Sequence, residues 1–123
     1  MRNSLGLILI GLIFFIDIAQ AETPQTQRHP HFSNERVNVW ETIIYPSKDQ
    51  ILKMHRHEYP RVLVAFDSGL LKITNNHGKT HFLKLEKNKA YYLSKDIPNE
   101  LHTDENLSPK PIRVLVMELK DTR

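Results

Sequence analysis

Cysteine is absent from all 123 residues. Its absence excludes a disulfide framework, thiolate chemistry and a lipid-modified cysteine at an export cleavage site, so a domain folded outside the cytoplasm would rest on its core alone. Glycine is sparse, at 4 residues, and none of it builds a phosphate-binding loop. No serine sits in a nucleophile elbow, and no basic run is interleaved with aromatics. These gaps set aside phosphate-loop, serine-nucleophile and nucleic-acid functions. Charge of one sign is missing too: 17 lysines and arginines face 14 acidic residues, for a net charge of +3. The lysines are scattered, which suits solubility more than binding to a polyanion. There is no internal repeat, no low-complexity tract, and no amphipathic helical pattern longer than about three turns.

A run of about 20 apolar residues, the length needed to cross a bilayer, is also lacking. The apolar stretch from Leu5 to Ile16 is shorter, is broken only by glycine and is followed by Asp17. With Arg2 before it and Ala19-Gln20-Ala21 behind it as a small-x-small site, residues 1–21 read as a cleaved signal peptide. The expected product is periplasmic or secreted, begins near Glu22 and keeps no stable membrane insertion. Taking 21 residues from 123 leaves 102, enough for one compact domain and too few for two. Residues 22–36 are polar, contain Pro24 and Pro30, and show no apolar period. They read as a flexible tail, with His29 and His31 carried there without rigid partners.

From Val37 onwards the pattern is that of strands. VNVWETIIY, ILKMHRHEY, RVLVAFD, LLKIT, THFLKLE, AYYLS and IRVLVMELK are short and rich in β-branched and aromatic residues. Pro46, Ser68-Gly69 and Asn75 to Gly78 punctuate them. Regularly spaced short strands of this kind predict an all-β sandwich or barrel. THFLKLE alternates, so one face is buried and one wet. RVLVAF and VLVM are continuous apolar runs, as expected in the middle of a sandwich or at a subunit contact.

What the chain does have is histidine. His55 and His57 stand two apart in a predicted strand and therefore point to the same side. His102 follows a loop containing Pro98, and Asn106 lies four residues further on. Two neighbouring imidazoles and one distant one are a way for a metal to tie separate strands together while positions stay open for a ligand. His77 and His81, without acidic company, read as surface residues.

This arrangement resembles the cupin family. The first cupin motif has H-x-H, an acidic residue three or four places later, a strand and a glycine turn; MHRHEYPRVLVAFDSGLLKI supplies His55, His57 and Gly69. The second motif has proline, glycine, histidine and asparagine; IPNELHTDEN supplies Pro98, His102 and Asn106. PKPIRVLVMEL is similar to the strand that closes the cupin barrel. The resemblance implies a small jelly-roll β-barrel over residues 37–120, paired as a homodimer. It implies His55, His57 and His102 as ligands of a divalent metal, whether iron, zinc, nickel, copper or manganese, and Arg61, Tyr59, Tyr92 and Asn106 as candidates to meet a small-molecule ligand. Tyr91 joins the tyrosines as pocket lining or core, and Trp40 reads as core.

Two departures stand out. Arg61, counted from His57, or Val62, counted from Gly69, takes the place of the acidic ligand, and Glu58 falls on the wrong side of a regular strand. Asn99 replaces the second motif's glycine, a change asparagine tolerates because it enters the left-handed backbone region more readily than most residues. Arg61 has two readings: it orients a carboxylate or phosphate by paired hydrogen bonds, or it pairs structurally with Glu58 or Asp67. The functional expectation is an exported binding protein that holds a small ligand and, through three histidines, a divalent metal. The alternatives are a metal-dependent oxygenase or isomerase acting on a small anionic substrate, and a purely structural partner-binding domain. Whether the chain is an enzyme stays open at this stage, because one fold hosts many activities.

Overall fold

The computed structural model describes Gly6, residues 10–16 and residues 24–121. Residues 10–16 form no regular element and expose their apolar side chains, and no described helix is long and apolar enough to cross a membrane. The proposed cleavage site at residues 19–21 lies outside the described residues.

Nine strands run through the described chain: β1 (Gln27–Ser33), β2 (Val37–Ile44), β3 (Leu52–His55), β4 (Arg61–Ala65), β5 (Gly69–Asn75), β6 (Thr80–Leu85), β7 (Lys89–Leu93), β8 (His102–Asn106) and β9 (Ile112–Leu119). They form two antiparallel sheets, ordered β1-β2-β9-β4-β7 and β3-β8-β5-β6, which face each other as a jelly-roll barrel. Side chains alternate across each strand. Leu63 and Ala65 of β4, Val114 and Val116 of β9, Trp40 and Ile44 of β2, and Leu71 and Leu85 of the second sheet therefore meet between the layers. Each such fully buried branched side chain contributes roughly 1.5–3 kcal/mol relative to an exposed one. The continuous apolar runs belong to the middle of the five-stranded sheet. Their outer residues Val62, Val64, Leu115 and Met117 are half-buried on its far face.

Gly69 has a steric reason for its place. A Cβ there would stand 2.7 Å from Ile112 Cγ1 and 2.8 Å from Ser108 Oγ, and Ile112 is completely buried.

Two expectations are corrected. Residues 22–36 are not wholly a flexible tail, and the barrel starts before residue 37: Gln27–Ser33 is the edge strand β1, in register with β2 from Gln27 opposite Ile43 to Ser33 opposite Asn38. An edge strand with a bulge between Pro30 and Phe32 is where proline is tolerated, because its missing N–H leaves no ladder bond unmade. Likewise the loop expected before the last strand contains β8, whose sequence HTDEN is too polar to read as a strand.

Candidate metal centre

His55 ends β3 and pairs across the ladder with His102, which begins β8, and their ring centroids are 4.3 Å apart. His57 lies two residues past the end of β3, outside the strand expected for it. It is brought back to the cluster through Asp96. The His57 N–H donates to Asp96 Oδ2 at 2.6 Å, and the Asp96 N–H donates to the His57 carbonyl at 2.9 Å. Asp96 belongs to the loop between β7 and β8, which is clamped in turn to the β5–β6 turn through Asn76. Asn99 in that loop has φ 65°, the left-handed backbone for which the motif's glycine would serve. Trp40 stacks parallel to the His57 ring at 6.1 Å. One potential ligand atom from each of the three histidines lies within 4.8 Å of the others, so an ion about 2.1 Å from each nitrogen needs only small ring rotations.

The far nitrogen of one ring is hydrogen-bonded and those of the other two face carboxylates. His55 Nδ1 donates to the Lys53 carbonyl at 2.6 Å, His102 Nδ1 faces Asp96 Oδ2 at 3.3 Å, and His57 Nδ1 faces Glu118 Oε2 at 3.7 Å. A carbonyl or carboxylate on one ring nitrogen fixes ring orientation and leaves the other as a lone pair for a ligand to meet. The residues present therefore fit a divalent metal, and His55 Nε2, buried and without a partner, is the atom that most needs one.

Burial sets the electrostatics. It lowers the pKa of His55, and it pushes His57 down to about 2, helped by the positive charges of Arg61 and Arg28. Burial also lowers Arg61 and raises Glu118 by disfavouring the charged form, and partial desolvation of the otherwise exposed Arg28 over Trp40 lowers it as well. Both shifted histidines are thus neutral in the fold where an unfolded chain, with pKa 6.5, would protonate them. The unfolded state then binds more protons, so stability falls as pH drops below about 6.5. Glu118, shifted upward, works in the opposite sense over its own range. The expected result in the presence of chelator is a thermal midpoint that declines between about pH 7 and about pH 5, with a shallower decline in His57→Gln. A midpoint rising on acidification would contradict this account.

Arg61 answers the question raised by its position. It faces inward and is 8% exposed, whereas Val62 lies on the opposite face of β4, so a cation occupies the inward place where the motif has an acid. Its guanidinium donates to the Ser94 carbonyl at 3.1 Å and lies 3.9 Å from Asp96. Neither Glu58, which is exposed, nor Asp67, which pairs with Arg113, is its partner. A second arginine reaches the site from exposed β1: Arg28, itself exposed, sits over Trp40 at 4.8 Å and lines, with Arg61 and the histidines, a cavity of about 50 Å³.

Other expectations fare differently. Tyr92 is 66% exposed on the outer face of β7, and Tyr59 is half-buried in the loop after His57 and does not line the cavity. Asn106 is buried, but its amide donates to the Ile44 and Lys110 carbonyls at 2.9 and 2.8 Å and accepts from the Ser108 N–H at 2.8 Å. It locks the turn before β9 and does not line the cavity. These three are corrected from candidate ligand contacts to surface, loop and structural residues. His29 and His31 lie on exposed β1, with His31 3.8 Å from Glu41, and His77 and His81 are exposed.

Arg28, Asp96, Asp104 and Glu118 were missed. Asp104 and Glu118 carried a signal, being two residues from His102 and Val116 on the same strand faces. Arg28 and Asp96 lie in segments without any period.

The architecture has clear parallels. A crystal structure of a cupin domain from Bordetella pertussis Tohama I superposes with a TM-score of 0.67 at 22% identity, over 83% of this chain and 100% of that one. The barrel has the cupin fold. An RmlC-like cupin family protein with a double-stranded β-helix fold from Methanocaldococcus jannaschii matches at TM-score 0.58 and 13% identity, over 89% and 93% of the two chains. Oxalate decarboxylase matches at TM-score 0.58 and 12% identity, over 81% of this chain and 27% of its own. Neither a protein-family profile nor a curated protein matches the sequence. In this cupin-fold barrel three histidines stand where they can hold a metal.

Proposed function

We propose that this is an exported cupin-fold protein that binds a divalent metal through His55, His57 and His102 and, beside it, a small anion held by Arg61 and Arg28. The observation that carries the reading is the convergence of three imidazoles, each with a carbonyl or carboxylate facing its Nδ1, on one cavity that two guanidiniums also line. When bound, the ion would polarise an oxygen of the ligand.

Two guanidiniums on the cavity that the histidines share supply paired donors suited to a carboxylate-sized anion. Size bounds the ligand as well. A water needs about 10–15 Å³ of such space, so the enclosed part admits only a few non-hydrogen atoms beside an ion. Anything larger must extend into the adjoining cleft lined by Arg61, Ser94, Asp96 and His102, of about 190 Å³. The apolar walls Leu63, Leu71, Val114 and Val116 also favour a second reading, metal-dependent oxygenase or isomerase chemistry on such an anion. Export and pairing into a homodimer, through the half-buried outer face of the five-stranded sheet, belong to the same proposal.

The test is binding. Protein purified without chelator should carry about one metal per chain, and the metal-loaded form should gain thermal stability from small monocarboxylates such as formate or acetate. Arg61→Ala should lose that gain while keeping the metal. No metal, even after soaking with iron(II) or zinc, would end the reading. Metal without any anion response would leave a metal-binding barrel and remove the anion site.

A further inference from the structure

Three carboxylates surround the histidine cluster, and they are not equivalent. Asp96 and Glu118 face Nδ1 atoms, the outer nitrogens of His102 and His57. Asp104 faces the other side. Its Oδ2 lies 3.6 Å from His55 Nε2 and its Oδ1 lies 3.8 Å from His102 Nε2. Both separations exceed a hydrogen bond, for which about 3.2 Å is the upper range.

The His55 ring shows why this matters. A carbonyl oxygen can only accept, so the 2.6 Å contact with Lys53 puts a hydrogen on Nδ1. In the neutral ring Nε2 is then a bare lone pair, and it looks at a carboxylate. Nε2 and Asp104 Oδ2, two acceptors, face each other inside the barrel, and the buried side-chain atoms left without a hydrogen-bond partner among the described residues are His55 Nε2 and the other oxygen of the same carboxylate, Asp104 Oδ1. Such a pairing is unfavourable unless a cation lies between the two. The distances suit one. Two donors each about 2.1 Å from the same ion cannot be more than about 4.2 Å apart, and 3.6 and 3.8 Å satisfy that limit.

We infer that Asp104 is the acidic metal ligand, supplied from β8 in place of the one that the first histidine segment lacks, so that the site is three histidines and one carboxylate. The inference rests on the metal-binding reading above. Topology makes the replacement possible. Asp104 is two residues after His102 and so shares its inward face, while β8 pairs with β3 and brings that face against His55. Arg61 occupies the inward place on β4 where the motif has its acid, and the carboxylate arrives from the opposite sheet.

The test uses the full chain and cobalt(II) as probe, with affinity read by competition against a chromogenic chelator and ligation read from the visible d–d bands. Asp104→Asn is expected to weaken cobalt binding at least about 100-fold and to shift the bands. Asp96→Asn and Glu118→Gln are expected to weaken it by about 10–100-fold, as outer partners do, with the bands in place. Asp104→Glu, which keeps the carboxylate, should recover part of the affinity, and the metal-induced infrared carboxylate band of the native protein should move in that variant. This last comparison decides the matter if Asp104→Asn does not fold. Unchanged affinity and bands in Asp104→Asn, an unmoved infrared band in Asp104→Glu, or a band shift in Glu118→Gln instead, would overturn the assignment while leaving the three-histidine reading intact. A native chain that takes up no cobalt would overturn both.

Discussion

His102→Ala is expected to empty the metal site, with affinity falling by about three orders of magnitude and no metal surviving purification. Structural metal sites contribute about 10–16 kcal/mol in apparent binding energy, so removing one of a few ligands is worth several kcal/mol. His102 is also the ligand most firmly set in place. It opens β8, pairs opposite His55, and has its outer nitrogen against Asp96. The alanine variant keeps the β8 backbone ladder and loses only the imidazole, so the fold should persist and the loss should be specific. Elemental analysis of the untagged protein beside His102→Ala and the His55→Ala/His102→Ala double variant checks it. His31→Ala is the control, because His31 lies on the exposed edge strand near Glu41 and its loss should leave metal content unchanged. Retained metal in the double variant together with loss in His31→Ala would move the site to β1.

Trp40→Ala is expected to have the largest effect on stability, about 3–5 kcal/mol, from lost transfer energy and the cavity left behind. Trp40 is 5% exposed and belongs to the main core, yet it also touches the site. The His57 ring stacks on it and the Arg28 guanidinium sits over it. Metal affinity should therefore drop along with stability, whereas a core substitution away from the cluster, such as Leu85→Ala, should reduce stability with little change in affinity. Urea unfolding of the metal-free proteins and chelator competition measure the two separately. A loss below about 1 kcal/mol in Trp40→Ala would show that the core closes over the gap.

The fold was largely legible because its strands are conspicuous. Runs such as VNVWETII and IRVLVMEL have the composition and period that only a covered sheet satisfies, and chain reversals sit just before Gly69 and at Gly78, close to where expected. The two strands that were not legible are those with little apolar signal. β1 is held by backbone pairing to β2 and is exposed along its length, with Arg28 reaching over Trp40 to the cavity, and β8 spends its inner face on His102, Asp104 and Asn106. A pattern built on hydrophobicity passes over strands that carry polar chemistry inward. For the same reason Tyr92 was misplaced. Its neighbour Tyr91 packs against the core and receives the Glu86 N–H on its hydroxyl, which turns Tyr92 outward.

By itself the sequence determined an all-β domain with three histidines in two motifs, since spacing along a strand dictates facing and turn residues dictate where strands end. It also determined that the expected acid is missing, with Arg61 or Val62 in its place according to the count. Only the tertiary structure decided which way Arg61 points, which carboxylates gather around the histidines, and which of them faces the inner nitrogens. Those facts depend on pairings between residues dozens of positions apart, His57 with Asp96 and His55 with Asp104. A local pattern carries no information about such pairings, because packing two sheets face to face is what brings them within a few ångströms.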